Sequence, residues 1–431
     1  MADRLSGLPS PVLDNVLSFL PAREMVRTSV LSKVWKNVWR TVPFLDIDRA
    51  SFSSQDQKFW NFAYFLLLLR DGSSLSKFRV FINYYSNYLS WVNKFALYAV
   101  RHNAKVIDLD LAVVNDTNVE CDNHLTSHLF ECESLKELKL SSTHITIPSS
   151  IWLPALRVLH LRKVIFQDDK PSILFSAITA LETLILDDCL FHNKELLCLS
   201  SHQLATLILK GKLPKSIEIN APSLISIEFG GDILEIIKFT SEVNHLRDAN
   251  IPLQVSCFHS VIHLFKILHT TQSLTLSCRF ILSLAVRLQK DMSILDCIKT
   301  SFPNLKWLKL GTSFSDSEML VINTLLDCSP KIENIVMENE MSDDTSQCSA
   351  AEKVWFENKL CHLKSVTIQG FRGCLNEEKF IKLMLENAIV LEKLIIMRSK
   401  TSYENNQDMM IIGKKLLAYA RASSTVGILF G

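Results

Sequence analysis

One spacing of apolar residues dominates this chain, L-x-x-L-x-L. It occurs without substitution five times, at Leu135-Leu138-Leu140, Leu156-Leu159-Leu161, Leu181-Leu184-Leu186, Leu204-Leu207-Leu209 and Leu305-Leu308-Leu310. Other apolar residues fill the same positions at Leu75-Phe78-Val80, Val106-Leu109-Leu111, Leu224-Ile227-Phe229, Ile332-Ile335-Met337, Leu363-Val366-Ile368 and Leu391-Leu394-Ile396. Between 135 and 224 the starts lie 21, 25, 23 and 20 residues apart. Alternate side chains of an extended strand share a face, so the last two apolar residues of each motif turn inward and their neighbours turn outward. A single such strand cannot bury its apolar face, whereas strands stacked at a regular interval can. The pattern therefore predicts an α/β chain in which short parallel strands form one sheet, with longer connecting segments, some of them helical.

The interval is that of leucine-rich repeats, and the predicted architecture is an irregular solenoid. Irregularity is plainest between 224 and 305, where the candidates reduce to Leu246-Ala249-Ile251 and a degenerate Leu274-Leu276. The Asn that closes the turn after the strand in regular repeats is missing. Ser141-Ser142-Thr143 and Asp187-Asp188-Cys189 stand there instead, with Cys189 a candidate for the turn position. The outward positions, among them Glu137, Lys139, His160, Arg162, Ile185, Asp187, Ile208, Lys210, Trp307 and Lys309, form a candidate target surface. Its mixed charges and interspersed apolar residues suit a protein better than a phosphate backbone.

The first fifty residues follow another period. Val12, Leu13, Val16, Leu17 and Leu20 make one helical stripe, Pro11 sits in the first turn, and Pro21 ends the helix. A second helical stretch runs from about Ala22 to Val30, and a third carries Trp35 and Trp39, four apart on one face. So small a unit has too little interior for all these apolar groups, which must therefore pack on something else.

The order Leu5-Ser6-Gly7-Leu8-Pro9, Val12 to Pro21, and Thr28-Ser29-Val30-Leu31-Ser32-Lys33 followed by Trp35-x-x-x-Trp39 resembles the plant F-box. Ser10-Pro11 replaces the common Asp-Glu, and Val34 the common Arg. The resemblance implies a three-helix hook that docks on the Skp adaptor of a cullin-based ubiquitin ligase. It assigns that contact to Leu8, Pro9, Val12, Leu13, Leu17, Leu20, Pro21, Val26, Leu31, Trp35 and Trp39, some of them also serving the hook's own core.

Toward the other end, Leu363, Val366 and Ile368, a helix from Glu377 to Ala388 with Asn376 as its cap, and a strand from Leu391 to Met397 predict a right-handed parallel crossover. Gly370-Phe371-Arg372-Gly373, Leu385-Glu386-Asn387-Ala388 and Arg421-Ala422-Ser423-Ser424-Thr425 resemble the FBD region of plant F-box and leucine-rich-repeat proteins. The expected organisation is an F-box at 1–50, a leucine-rich-repeat solenoid at 51–354, and an FBD region closing it at 355–431.

Composition narrows the function. Leu supplies 65 of 431 residues, and Lys+Arg 46 against Asp+Glu 45 leaves a net charge of +1, so no global field favours nucleic acid or an anionic membrane. The longest apolar run, Phe62 to Leu69, is too short to span a bilayer and reads as a core helix. Eleven scattered Cys without a C-x-x-C motif, and no secretion signal, point to reduced thiols and a cytoplasmic or nuclear location. Phosphate-cradling glycine motifs and G-x-S-x-G are absent. His259 and His263, near Cys257, His269 and Cys278, and His124 with His128 have metal-ligand spacing without the glutamate or Cys-His frame of a zinc site. The acidic stretch from Glu338 to Asp344 lacks the rhythm of a calcium loop and reads as a solvated loop. The expectation is a non-catalytic recognition subunit of an SCF-type ubiquitin ligase. Its partners would be the Skp adaptor, the cullin reached through it, and a target protein, with no cofactor or metal. A protein-interaction scaffold outside any ligase is the alternative.

Overall fold

The computed structural model describes residues 7–52, 56–82, 89–111, 127–168, 170–192, 195–231, 236–252, 258–288, 302–340, 360–398 and 413–431. The chain divides into two compact units, Met1–Leu204 with Lys210–Pro214, and Ala205–Leu209 with Lys215–Gly431.

The first unit opens with helices α1 (Ser10–Leu17), α2 (Ala22–Arg27) and α3 (Trp35–Val38). The second predicted helix stops at Arg27, and Thr28–Val30 continue as a 3₁₀ turn. Strands β1 (Phe44–Asp48), β2 (Lys77–Ile82), β3 (Val106–Leu111), β4 (Glu137–Ser141), β6 (Val158–Arg162) and β8 (Thr183–Asp187) pair in that order, all parallel. Helices α4 (Asp56–Leu69) and α5 (Leu89–Arg101) make the first two crossovers. Two-residue strands β5 (His144–Ile145), β7 (Ile165–Phe166) and β9 (Leu190–Phe191) form a second small parallel ladder. Helix α6 (Pro171–Ala177) starts on a proline, where the missing N–H costs nothing, and lies against β10 (Leu196–Ser200).

In the second unit β11 (Thr206–Lys210), β13 (Ser226–Phe229), β15 (Asp248–Ile251), β16 (Ser273–Leu276), β17 (Trp307–Thr312), β18 (Asn334–Asn339), β19 (Ser365–Phe371), β20 (Lys393–Arg398) and β21 (Gly427–Phe430) pair in parallel. Strands β12 (Ser216–Asn220) and β14 (Ile236–Phe239) pair separately. Helices α7 (Phe258–Leu268), α8 (Cys278–Leu288), α9 (Asp316–Asp327) and α10 (Leu375–Asn387) fill the later crossovers.

The repeat motif maps onto this ladder as period 2 requires. All three apolar positions of each unsubstituted L-x-x-L-x-L are buried, for instance Leu156, Leu159 and Leu161, while the positions between the last two face out. The degenerate segments obey the same rule, with Ala249, Ile251, Leu274 and Leu276 buried. After the strands of the first unit, Ser142, Lys163 and Asp188 take positive φ near 53°. Their N–H groups donate to the carbonyls of Arg162, Asp187 and Lys210, each at the end of the following strand. Cys189 fills the turn as expected: its buried thiol donates to the Leu161 carbonyl at 3.3 Å. Burial pushes that thiol's pKa up to about 12. Gly211 is required where it stands, because a Cβ there would lie 2.7 Å from the Asp188 Cα at φ +84°.

Three expectations need correction. The cap of α10 is Cys374, not Asn376, which is the helix's buried second residue with its amide donating to the Phe314 carbonyl and Asp316 Oδ1, both at 2.8 Å. The run Phe62 to Leu69 is a core helix on one face only. Phe59, Ala63 and Leu66 are buried, whereas Tyr64, Phe65, Leu68 and Leu69 are exposed. Glu338 belongs to β18 and not to a loop; residues 341–344 lie outside the described residues.

Two crossovers of the second unit share one device. Glu318, buried at the N-terminus of α9, accepts hydrogen bonds from the Ser313 and Ser315 backbone and from the hydroxyls of Thr312 and Ser313. Glu377 does the same for α10, accepting from the backbone N–H groups of Arg372, Gly373 and Cys374 and from the Asn339 amide. Each carboxylate satisfies the tight strand-to-helix turn that would otherwise bury unpaired donors.

Candidate protein-binding surfaces

The hook's helices are set by its prolines. The Pro9 carbonyl accepts from Val12 and Leu13 to start α1, and the Pro21 carbonyl accepts from Met25 to start α2. Its core is Leu13, Leu17, Ala22, Met25, Trp35 and Trp39. The Trp39 indole N–H donates to the Lys36 carbonyl at 3.1 Å, which satisfies the one polar atom of that buried ring. What remains outside is apolar. Phe19 is 80% exposed, Val30 86% and Leu31 60%, and Val12, Val16 and Val34 are exposed beside them.

The structure thus divides the expected adaptor residues. Pro9, Val12 and Leu31 are exposed; Leu8, Leu20, Pro21 and Val26 are half-buried; Leu13, Leu17, Trp35 and Trp39 are buried within the hook. The buried four shape the surface and do not form it. The exposed set also includes Val16, Phe19, Val30 and Val34. Val16 belongs to the α1 stripe; Phe19, Val30 and Val34, in a 3₁₀ turn or at helix ends, have no partner at period 3.6, and their signal was their presence outside any stripe.

The hook is fixed to its own unit. Helix α2 packs on β1, Arg23 bonds the Ser51 carbonyl, and its guanidinium lies 4.7 Å over the Phe52 ring. Buried Arg70 donates to the Val42 carbonyl at 2.8 Å and the Trp39 carbonyl at 3.3 Å, closing the end of the hook.

The outward sheet face of the first unit carries a row of alternating charge. Register aligns Asp46, Arg79, Asp108, Lys139, His160 and Ile185 across six strands. Arg79 reaches Asp46 at 3.5 Å and Asp108 at 3.7 Å, Lys139 pairs with Glu137 at 2.6 Å, and Arg162 pairs with Asp110 at 2.8 Å. Arg162 also stands opposite Asp187. Partial burial, with Lys139 close by, holds His160 below the usual imidazole pKa, so the ring is neutral at pH 7. Burial raises the Asp46 carboxyl, against the pull of Arg79. The structure therefore brings Glu137, Lys139, His160, Arg162, Ile185 and Asp187 together, and adds Asp46, Arg79, Asp108 and Asp110 to them.

In the second unit the corresponding face is mostly uncharged. Lys309, Val336, Thr367, Ile395 and Leu429 share one row, and Trp307, Asn334, Ser365 and Lys393 another. Lys309 pairs with Glu338 at 2.7 Å, Asn250 donates to Glu228, and Ile208 stands opposite Glu228. Lys210 contributes its carbonyl to the turn at Asp188.

Each histidine pair is described at one member only. His263 and His269 line a cleft of 480 Å³ with Glu242 and Lys266, and His269 Nδ1 faces the Lys266 carbonyl. Cys257, His124 and the His259 side chain lie outside the described residues, and His128 sits in a 3₁₀ turn. Among the described residues no three metal-ligating side chains converge, and no helix is long and apolar enough to cross a membrane.

These surfaces can be set beside known proteins. The F-box domain model matches residues 5–47, which is the hook, and a family model described as the At1g61320/AtMIF1 LRR domain matches residues 69–425. The chain belongs to the plant F-box, FBD and leucine-rich-repeat family. Among its relatives in Arabidopsis thaliana, an F-box/FBD/LRR-repeat protein, At2g26030, is 27% identical over 99% of both chains. An F-box/LRR-repeat protein, At3g58930, is 25% identical over 98% of this chain and 96% of its own. An FBD-associated F-box protein, At5g22730, is 25% identical over 99% of this chain and 94% of its own. An F-box implies binding to a Skp-type adaptor, and leucine-rich repeats imply a protein target.

Proposed function

We propose that this F-box protein is the non-catalytic, substrate-recognition subunit of an SCF-type E3 ubiquitin ligase. The observation that carries the reading is the uncovered apolar surface of the hook, centred on Phe19, Val30 and Leu31. Burying one such side chain is worth about 1.5–3 kcal/mol, so several of them left in water beside an otherwise closed core are best accounted for by a partner surface. The adaptor takes that surface, and the cullin is reached through it. A target protein lies on the outward strand positions, at the mixed-charge row of the first unit or the neutral rows of the second. The protein contributes proximity and orientation, bringing target lysines to a ubiquitin-loaded enzyme without a catalytic side chain or cofactor of its own. The cytoplasm or nucleus is where this assembly would work.

The test is capture of a purified plant Skp-type adaptor by the full chain. Val30→Asp with Leu31→Asp is expected to abolish capture while the thermal midpoint stays unchanged. Undiminished capture overturns the assignment of that surface, and no capture by the parent chain overturns the ligase reading and leaves a repeat scaffold working outside a ligase.

A further inference from the structure

The ladder of the second unit ends on β21, which pairs with β20 and, among the described residues, with no other strand. Its bonds to β20 come from alternate residues. The Gly427 N–H donates to the Glu392 carbonyl, the Gly431 N–H donates to the Ile396 carbonyl, and the Gly431 carbonyl accepts from the Arg398 N–H. Residues 427, 429 and 431 thus turn their backbone groups toward β20, and those of Ile428 and Phe430 point away from the sheet. Solvent reaches this edge. Leu429 is 53% exposed and Phe430 46%, and half-exposed Met397 flanks them, since a Cβ on Gly431 would lie 3.7 Å from Met397 Cγ.

Open edges in folded proteins carry devices that discourage pairing, such as charged side chains, proline or a bulge. Strand β21 has none of these: Gly-Ile-Leu-Phe holds no charge and no proline, and its register with β20 is unbroken. The contrast is β1, the first strand of the other unit, which carries Asp46 and Asp48 and has α2 packed on it. An unblunted apolar edge recognises one kind of ligand, another extended strand.

The order of residues along the edge selects that strand. Gly427-Ile428-Leu429-Phe430-Gly431 has the same pattern of glycine and apolar residues from either end, with Leu429 at its centre. Laid antiparallel on a second copy about a two-fold axis at Leu429, Gly427 meets Gly431, Ile428 meets Phe430, and Leu429 meets its own counterpart. The backbone fits the same register. Ile428 and Phe430, whose N–H and C=O groups point outward, become opposite residues that exchange both hydrogen bonds, at two places related by the axis. A slip of one residue would set outward groups against groups already bonded to β20.

We infer that β21 is a dimerisation strand, through which two copies of this chain join edge to edge, antiparallel, across Leu429. The same patch serves both chains, as a two-fold interface requires. No charge meets itself across the axis, and each apolar side chain meets another. The inference is independent of what the hook binds.

Sedimentation velocity of the full chain tests this. Loaded at up to about 100 µM, above the micromolar dissociation constants of weak specific interfaces, the parent is expected to double its mass as concentration rises. Leu429→Lys and Leu429→Glu each set two like charges against one another across the axis. Each is expected to weaken self-association at least about tenfold, with the thermal midpoint of the dilute chain unchanged. An equimolar mixture of the two variants is expected to restore the doubled mass, because opposite charges then face each other. Phe430→Pro, which removes an outward N–H and no bond to β20, is expected to give the same loss as either charged variant. A parent that keeps the mass of one chain throughout that range overturns the inference and leaves the edge to a different strand. Parent-like self-association in both charged variants overturns it as well, and a mixture that stays monomeric overturns the pairing about Leu429.

Discussion

The hook and the repeat strands are both rich in apolar residues and dispose of them in opposite ways. In the strands each apolar side chain meets its counterpart on the next strand: Leu138 faces Leu159 and Leu159 faces Leu184, all at about 1% exposure. Stacking supplies a cover for these inward residues. In the hook, three short helices close over Leu13, Leu17, Trp35 and Trp39 and have nothing left to cover Phe19, Val30 and Leu31. Apolar content alone therefore says little about function. What separates a core from a docking surface is whether the fold provides a neighbour.

That contrast can be broken by truncating each class. Leu159→Ala in the ladder should lower unfolding free energy by about 2–5 kcal/mol, through lost burial and an unfilled cavity, in a denaturant titration. Leu31→Ala in the hook should change it by less than about 0.5 kcal/mol. Equal losses at both positions would mean that the hook is covered in the free protein.

A smaller effect is expected at the strand-to-helix turns. Glu377→Ala should destabilise by about 1–3 kcal/mol, since the N–H groups of Arg372, Gly373 and Cys374 lose a buried acceptor. Loss of α10 protection in hydrogen exchange would report it.

Smaller still is a pH effect in the charge row. His160 has a folded pKa below its usual 6.5, so the unfolded chain binds the proton first. Stability from this group is complete above pH 6.5, declines as pH falls from 6.5 toward the folded pKa, and is flat below it. The thermal midpoint should fall slightly over that window, and His160→Gln should flatten the curve.

Thiol reactivity completes the series with no effect on stability. Exposed Cys361 should react with iodoacetamide in the native protein, whereas Cys189, its thiol buried and its pKa pushed to about 12, should react only on unfolding.

The repeat strands were legible because period 2 writes itself into consecutive residues, down to the degenerate Leu274-Leu276. The hook was legible as a unit, through Pro11, Pro21 and the paired tryptophans, yet its surface was not. Val12 and Leu13 are adjacent in one stripe, and only the packed helices decide that Leu13 goes in and Val12 stays out. The mixed charge of the outward face was legible but its pairing was not, since Arg162 meets Asp110 across 52 residues of sequence and that pairing depends on register. Strands β10 and β12 were missed for a related reason, since LLCLS and SIEIN alternate like the repeats but lack the leading leucine, whereas β14 was missed although Leu234, Ile237 and Phe239 keep the repeat spacing. The cap of α10 was misplaced because Asn376 is a good capping residue by type, while the buried Glu377 carboxylate decides where the turn closes.

The most direct measurement is the dissociation constant for a purified plant Skp-type adaptor, compared across the parent chain, Val30→Asp and Leu159→Ala. The account predicts that Val30→Asp, with an unchanged thermal midpoint, binds at least about a hundredfold more weakly, while Leu159→Ala, though less stable, binds as the parent does at a temperature where it is folded. Parent-like affinity in Val30→Asp would contradict the account, because the hook's uncovered residues would then not be the surface that binds.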